Sequence, residues 1–459
     1  MNKHNFNRYL SALILTSLSV AEMEAQTLQP APRLVVNLVI DQLRTDLLEH
    51  YSPLYSEEGF KKLLNEGRVY EAASYPFEPL DKASALTAIV TGTTPYYNHI
   101  PGEQWLDRTS LRPVFCIEDE KFSASPSRIA TSTISDELKV NSNGKAIVFS
   151  IAESADAAIL SAGHAADGAF WIDGKTNRWV TSDYYSQNAI KWLKFYRNTN
   201  PQVIKNKDDR NEIACSFALD CIGDNAMGRD LVTDYLSITL SAKSENQTKW
   251  QEELENTYMT LDRNLANFIN SVEQRIGKGR VLFIITSTGY TDEPSVDYGR
   301  FHIPTGTFYI NRTANLLNMY LAAIYGRGQY VQACFHNHIY IDHKLIEHSH
   351  LDFSDIMARS KEFLKQSAGV REVKESPYSP EISGDLMIEV APGWQLLNED
   401  THETYTCRST FLPFPIIFYG SGVKAGVVST PVTTDRIAPT IAKCIKIRAP
   451  NACKQAPLF

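Results

Sequence analysis

Leu34-Val35-Val36-Asn37-Leu38-Val39-Ile40-Asp41, reading LVVNLVID, decides the fold. An unbroken β-branched and aliphatic run that ends on a carboxylate is the pattern of a central parallel strand, buried on both faces. Ligands of open α/β sheets gather at the carboxyl ends of such strands, so Asp41 is expected to point at the functional site. Its competing role is local: an aspartate here can cap the segment LRTDLLEHY that follows.

Working outward, Tyr75 to Asp107 (YPFEPLDKASALTAIVTGTTPYYNHIPGEQWLD) combines a polar loop, a small-residue helix from Ala83 to Val90 and the turn Thr91-Gly92-Thr93-Thr94-Pro95. A loop feeding a helix offers backbone N–H groups and the positive end of the helix dipole to an anion. Further segments alternate between strand and helix. Strands are expected at Val69–Ala73, Ala146–Ile151, Asp234–Leu240, Val281–Ile285 and Pro415–Tyr419, and helices at Phe60–Glu66, Arg128–Val140 and Thr257–Val272. The fold class is therefore α/β, a doubly wound α/β/α sandwich. Residues 297–385 read as a smaller inserted α+β subdomain, with a helix at Ala314–Tyr325, a strand at Cys334–Ile341 and a helix at Phe353–Gln366, after which Leu386–Val390 is expected to rejoin the main sheet.

The 459 residues, 43% of them hydrophobic, suffice for a large packed core. A net charge of -8 without any basic block argues against a nucleic-acid surface. Lys3 and Arg8 precede an apolar run from Tyr9 to Ala21, so residues 1–25 read as a signal peptide and residues 26–459 as an exported, periplasmic or secreted chain. No later run reaches the ~20 apolar residues of a membrane span. Seven cysteines leave at least one unpaired; Cys215 with Cys221 and Cys444 with Cys453 are near enough to bond, or the thiols are buried singly.

The Thr91–Pro95 turn, with Trp105 downstream and Val36–Asp41 upstream, resembles the type I phosphodiesterase and phosphate-monoesterase branch of the alkaline phosphatase superfamily. The likeness continues through residues 162–185, 257–269, 330–347 and 413–442. It implies two zinc ions held by aspartates and histidines beside a nucleophilic threonine, and a clamp on the substrate phosphate. Asp41 matches the first metal ligand. Counting back from Thr91-Gly92, the nucleophile position falls on Lys82, and the clamp positions fall on Glu103, Ser154 and Asp156. The family's Asp-x-x-x-His ligand pair falls on Ser244 and Thr248, its Thr-x-Asp-His pair on Thr288 and Gly289, and Tyr405 to Pro415 lacks the final histidine. Ser84 and Thr87 are the nearest hydroxyls to Lys82, but neither projects from the same height and direction.

These substitutions lead us to expect a non-catalytic relative that binds a protein or glycan of the cell envelope, with no cofactor. The alternative is a hydrolase of phosphate mono- or diesters, or of sulfate esters, with a rebuilt site and zinc. A buried, unpaired Asp41 would be costly, so Lys82 is expected to form an ion pair with it. His336 and His338, on one face of the expected strand, form a weaker alternative metal cluster.

Overall fold

The strand Leu34–Asp41 lies in the middle of a ten-stranded sheet. It runs parallel to Asp234–Ser241 on one side and to Val281–Ser287 on the other. In the computed structural model, which describes residues 30–200, 203–205, 209–243, 250–291, 298–405 and 412–459, the sheet continues beyond Asp234–Ser241 through Val148–Ile151 and Gly168–Ile172 to the edge strand Trp179–Val180. Beyond Val281–Ser287 it continues through Phe414–Gly420, antiparallel to both neighbours, to Arg68–Ser74 and Gly426–Val428. Alternate side chains of the central strand enter opposite cores: Val35 and Val39 pack into one, Leu34, Val36, Leu38 and Ile40 into the other. Both faces of the sheet are thus covered, as the unbroken apolar run requires, and the expected sandwich is the observed fold.

Some boundaries differ from expectation for local reasons. The helix placed at Arg128–Val140 begins only at Ile134, because Thr133 and Asp136 form a capping box that fixes its start. Two helices not read from the sequence, Gln187–Thr199 and Arg210–Asp224, cover one face of the sheet. The second of these starts where the Asp209 carboxylate accepts the N–H groups of Asn211 and Glu212.

The inserted unit has its own core, built around Ile310, Leu317, Ile339, Ile356 and Ile388. Leu386–Val390 does not rejoin the main sheet: it lies between His338–Ile341 and Val370–Glu375 in a separate four-stranded sheet. Four of its five residues are buried, so its apolar run resembles a main-sheet strand although it belongs to this antiparallel sheet. The Arg108 guanidinium, from the main body, joins the two units. It donates to the carbonyls of Pro380, Ile341 and Ser383 and to the Asp385 carboxylate at 3.0 Å.

Cys215 and Cys221 are free thiols, as are Cys444 and Cys453. Cys215 and Cys221 lie on one helix, where six residues span about 9 Å, too far for a disulfide. Cys453 instead lies against the carbonyl of Thr91, at 3.3 Å. Cys407 and the expected signal peptide fall outside the described residues, among which no helix is long and apolar enough to cross a membrane.

Candidate functional site

At the carboxyl ends of the central strands opens a cleft of about 1470 Å³, larger than the roughly 300–1,000 Å³ of small-molecule pockets. Asp41, Lys82, Glu103, Ser154 and Asp156, far apart in sequence, all line it. Ser244 and Thr248 lie outside the described residues.

Asp41 ends its strand and finds its partner in Thr288, not in Lys82. The Thr288 hydroxyl donates to the Asp41 carboxylate at 2.7 Å and accepts the Gln42 N–H at 3.1 Å. Thr288 is fully buried, so this hydroxyl is a fixed part of the site. Beyond it Gly289 takes a left-handed φ of 74°. A Cβ at this residue would lie 2.6 Å from both the Tyr75 and Phe414 rings, so the room a side chain needs is filled by aromatic packing. The Tyr75 hydroxyl donates to the Ser287 carbonyl at 2.8 Å, which holds its ring there.

Lys82 is the first residue of the helix Lys82–Thr91, whose start is fixed by Asp81. The Asp81 carboxylate accepts the Ser84 N–H at 2.8 Å and the Glu103 N–H at 2.7 Å, so it binds the helix start to the Gly102–Glu103 loop. Among the described residues the Lys82 ammonium forms no ion pair, and the expected bridge to Asp41 is absent; the threonine hydroxyl has taken that place. Ser84 and Thr87 are fully buried, and their hydroxyls are held by the Asp81 and Ala83 carbonyls. Neither is available as a nucleophile.

Ser154 caps the helix Ala155–Ala162 by position, but its hydroxyl caps no backbone N–H and, among the described residues, is buried without a partner. Asp156, two residues on, is 6% exposed. Its place in the first helical turn favours a negative charge by about 0.3–1 kcal/mol, and its carboxylate opens on the cleft. The cleft wall that sequence reasoning missed comes from the start of the helix Arg210–Asp224 and from the end of the strand Asp234–Ser241. Glu153 and Arg210 approach to 3.8 Å there, and the Asn211 side chain pairs with the backbone of Ser241 at 2.7 and 2.9 Å. The signal was present in the aspartate of Asp209-Arg210-Asn211, which precedes an apolar periodic run as a helix cap does. Among the described residues, seven carboxylates and three cationic side chains line the cleft. An anion entering it meets a net negative wall.

His336 and His338 do not share a strand. A two-residue turn, His336-Asn337, joins the antiparallel strands Val331–Phe335 and His338–Ile341, and His336 adopts a left-handed φ of 49° there. Its ring lies on those of Phe335 and Tyr405, at 4.1 and 5.3 Å between centroids. Burial pushes the His338 imidazole down to about 4. Among the described residues no group of three or more His, Cys, Asp or Glu side chains is arranged to hold a metal ion.

Residues 35–410 match the type I phosphodiesterase / nucleotide pyrophosphatase family. The chain belongs to that family. It is 28% identical to a protein of Myroides odoratus named calcium-transporting ATPase, over 99% of both chains. It is 27% identical to alkaline phosphatase PafA of Elizabethkingia meningoseptica, over 94% of both chains. The crystal structure of wild-type PafA superposes with a TM-score of 0.77 at 26% identity, covering 94% of this chain and 98% of that one. The fold is thus that of the alkaline phosphatase superfamily.

Proposed function

We propose that this chain is an exported, non-catalytic member of its family that works by binding, with a protein or glycan of the cell envelope as partner. The observation that carries the reading is the set of residues lining the cleft. By the family spacing a lysine falls at the nucleophile position and an aspartate and a glutamate at phosphate-clamp positions, and among the described residues carboxylates outnumber cations seven to three. A carboxylate repels a phosphoryl group where an arginine would grip it bidentately. A solved PafA variant, with a TM-score of 0.78, carries substitutions of a threonine, an asparagine, a lysine and an arginine. The first two are as far apart in that chain as Lys82 and Glu103 are here, and the last two as Ser154 and Asp156, which supports the assignment of all four positions.

The residues present do not fit a zinc pair. Zinc at a catalytic centre takes three protein ligands of nitrogen, sulfur or carboxylate type, whereas Asp41 is accompanied by a threonine hydroxyl and by a glycine whose side-chain space is occupied. Without metals, nucleophile or clamp, little remains to stabilise a transferring phosphoryl group. Lys3, Arg8 and the apolar run after them support export.

The test is turnover of phosphate monoesters, phosphate diesters and sulfate esters by the full chain with zinc supplied, beside PafA as a positive control. We expect rates at the buffer background. Zinc-dependent turnover that survives further purification would establish the rebuilt hydrolase instead.

A further inference from the structure

We propose that the cleft receives a primary alkylammonium group, held by Asp156. The inference rests on the non-catalytic reading and gives it a ligand class. Asp156 is 6% exposed, lines the cleft, and among the described residues has neither a hydrogen-bond donor nor a cation as partner. Its carboxylate opens on the cleft, where among the described residues no donor meets it. Two further groups beside it are also unused. Among the described residues the Ser154 hydroxyl is buried without a partner, and so is the hydroxyl of Thr239, which is 9% exposed and lines the same cleft.

Strand register brings the three together. Ile151 pairs with Ile238 on the neighbouring parallel strand, so Ser154 and Asp156, just beyond Ile151, emerge beside Thr239, one residue beyond Ile238. An ammonium group has three donors and no acceptor. One carboxylate and two hydroxyls, all free to accept, match that inventory. A phosphate or carboxylate ligand would leave Asp156 opposed by a like charge, and a metal ion lacks the ligand group it needs here. The ammonium could come from a free amine or from the lysine side chain of a partner protein, and the breadth of the cleft admits either.

Ligand-observed NMR or calorimetry on the full chain tests this with two cationic probes: pentylammonium, for a free amine, and an end-blocked lysine tripeptide, for a side chain. Pentanol and the Nε-acetylated tripeptide are the neutral controls. We expect at least one cation to bind while its neutral control does not, and binding to weaken about tenfold or more in Asp156→Asn, since the amide keeps an acceptor but loses the charge that strengthens its hydrogen bond to the ammonium. The probe that binds more tightly identifies the source. Failure of both cations to bind the unaltered chain, or undiminished binding by folded Asp156→Asn, overturns the proposal. If circular dichroism shows Asp156→Asn unfolded, Thr239→Val replaces it, with a several-fold loss expected and no loss overturning the proposal. Zinc-dependent ester hydrolysis in the same preparation would remove the underlying reading, whereas no hydrolysis and no cation binding removes this inference alone.

Discussion

Thr288 carries a role at Asp41 that its residue type alone would not announce. Thr288→Val removes the hydroxyl that serves both the carboxylate and the Gln42 N–H, and leaving buried polar groups unpaired costs about 1–3 kcal/mol; chemical denaturation should show that loss. Lys82→Ala, by contrast, breaks no ion pair and is expected to change stability by less than about 1 kcal/mol. A loss several times larger would mean that Lys82 does hold a buried carboxylate. His164 gives a pH-dependent case. Its two ring nitrogens lie 2.9 Å from the Asp136 carboxylate and 3.0 Å from the Ile129 carbonyl, both acceptors, so the ring satisfies both only as imidazolium. Burial opposes that charge, but the hydrogen bond and charge of Asp136 outweigh it and raise the His164 pKa above 6.5. Asp136, against its own burial, is held below 3.8 by His164 and by backbone N–H groups. A raised histidine stabilises fully below 6.5 and loses its effect as pH rises through the folded value; a lowered aspartate stabilises above 3.8 and loses its effect as pH falls. The destabilisation by His164→Gln should therefore be largest between pH 3.8 and 6.5 and shrink on either side, as denaturation across pH would measure. Asp41, Lys82, Glu103, Ser154 and Asp156 were legible in the sequence because motif spacing carries position along a chain. The pairing of Asp41 with Thr288 was not, because it joins residues 247 apart through the register of neighbouring strands.

Elements were legible where a single periodicity ran long enough. The strands Leu34–Asp41 and Asp234–Ser241, buried almost throughout, read as continuous apolar runs. The hairpin at His336 was misread as one strand because a single asparagine, Asn337, is its only turn marker and the apolar residues on either side of it read as one run. The start of Ile134–Asn141 was misplaced because its capping box uses an aspartate where glutamate or glutamine is the commoner signal. Packing between elements also rests on groups that no pattern reveals. Lys62 in the helix Phe60–Glu66 is 7% exposed and reaches Glu273, 10% exposed, at 3.0 Å on the long helix Trp250–Ile276. Glu273 in turn accepts the Tyr419 hydroxyl from the strand Phe414–Gly420 at 2.8 Å. Lys62→Ala strands a buried carboxylate among three elements and should cost about 3–5 kcal/mol, read as a fall in denaturation midpoint.

For the whole molecule, the inserted unit has a core of its own but also sends Tyr378 and Ile382 into the main core and packs Phe335 and Tyr340 on Leu106, and the Arg108 guanidinium is a principal polar tie between the two units. Arg108→Ala leaves Asp385, 9% exposed, with less compensation and should loosen the inserted unit. Calorimetry is expected to resolve a second, earlier unfolding transition where the unaltered chain shows closer coupling. The fold as a whole was readable because alternating buried strands and helices admit few architectures. The extent of the inserted unit was not, since Leu386–Val390 is as apolar as a main-sheet strand. The proposed function requires that this family fold keep its cleft without the donors that would hold metal there. Zinc stoichiometry of the purified full chain, incubated with excess zinc and desalted, decides this: far less than one bound equivalent is expected, and two retained equivalents that vanish in Asp41→Ala would overturn the non-catalytic reading.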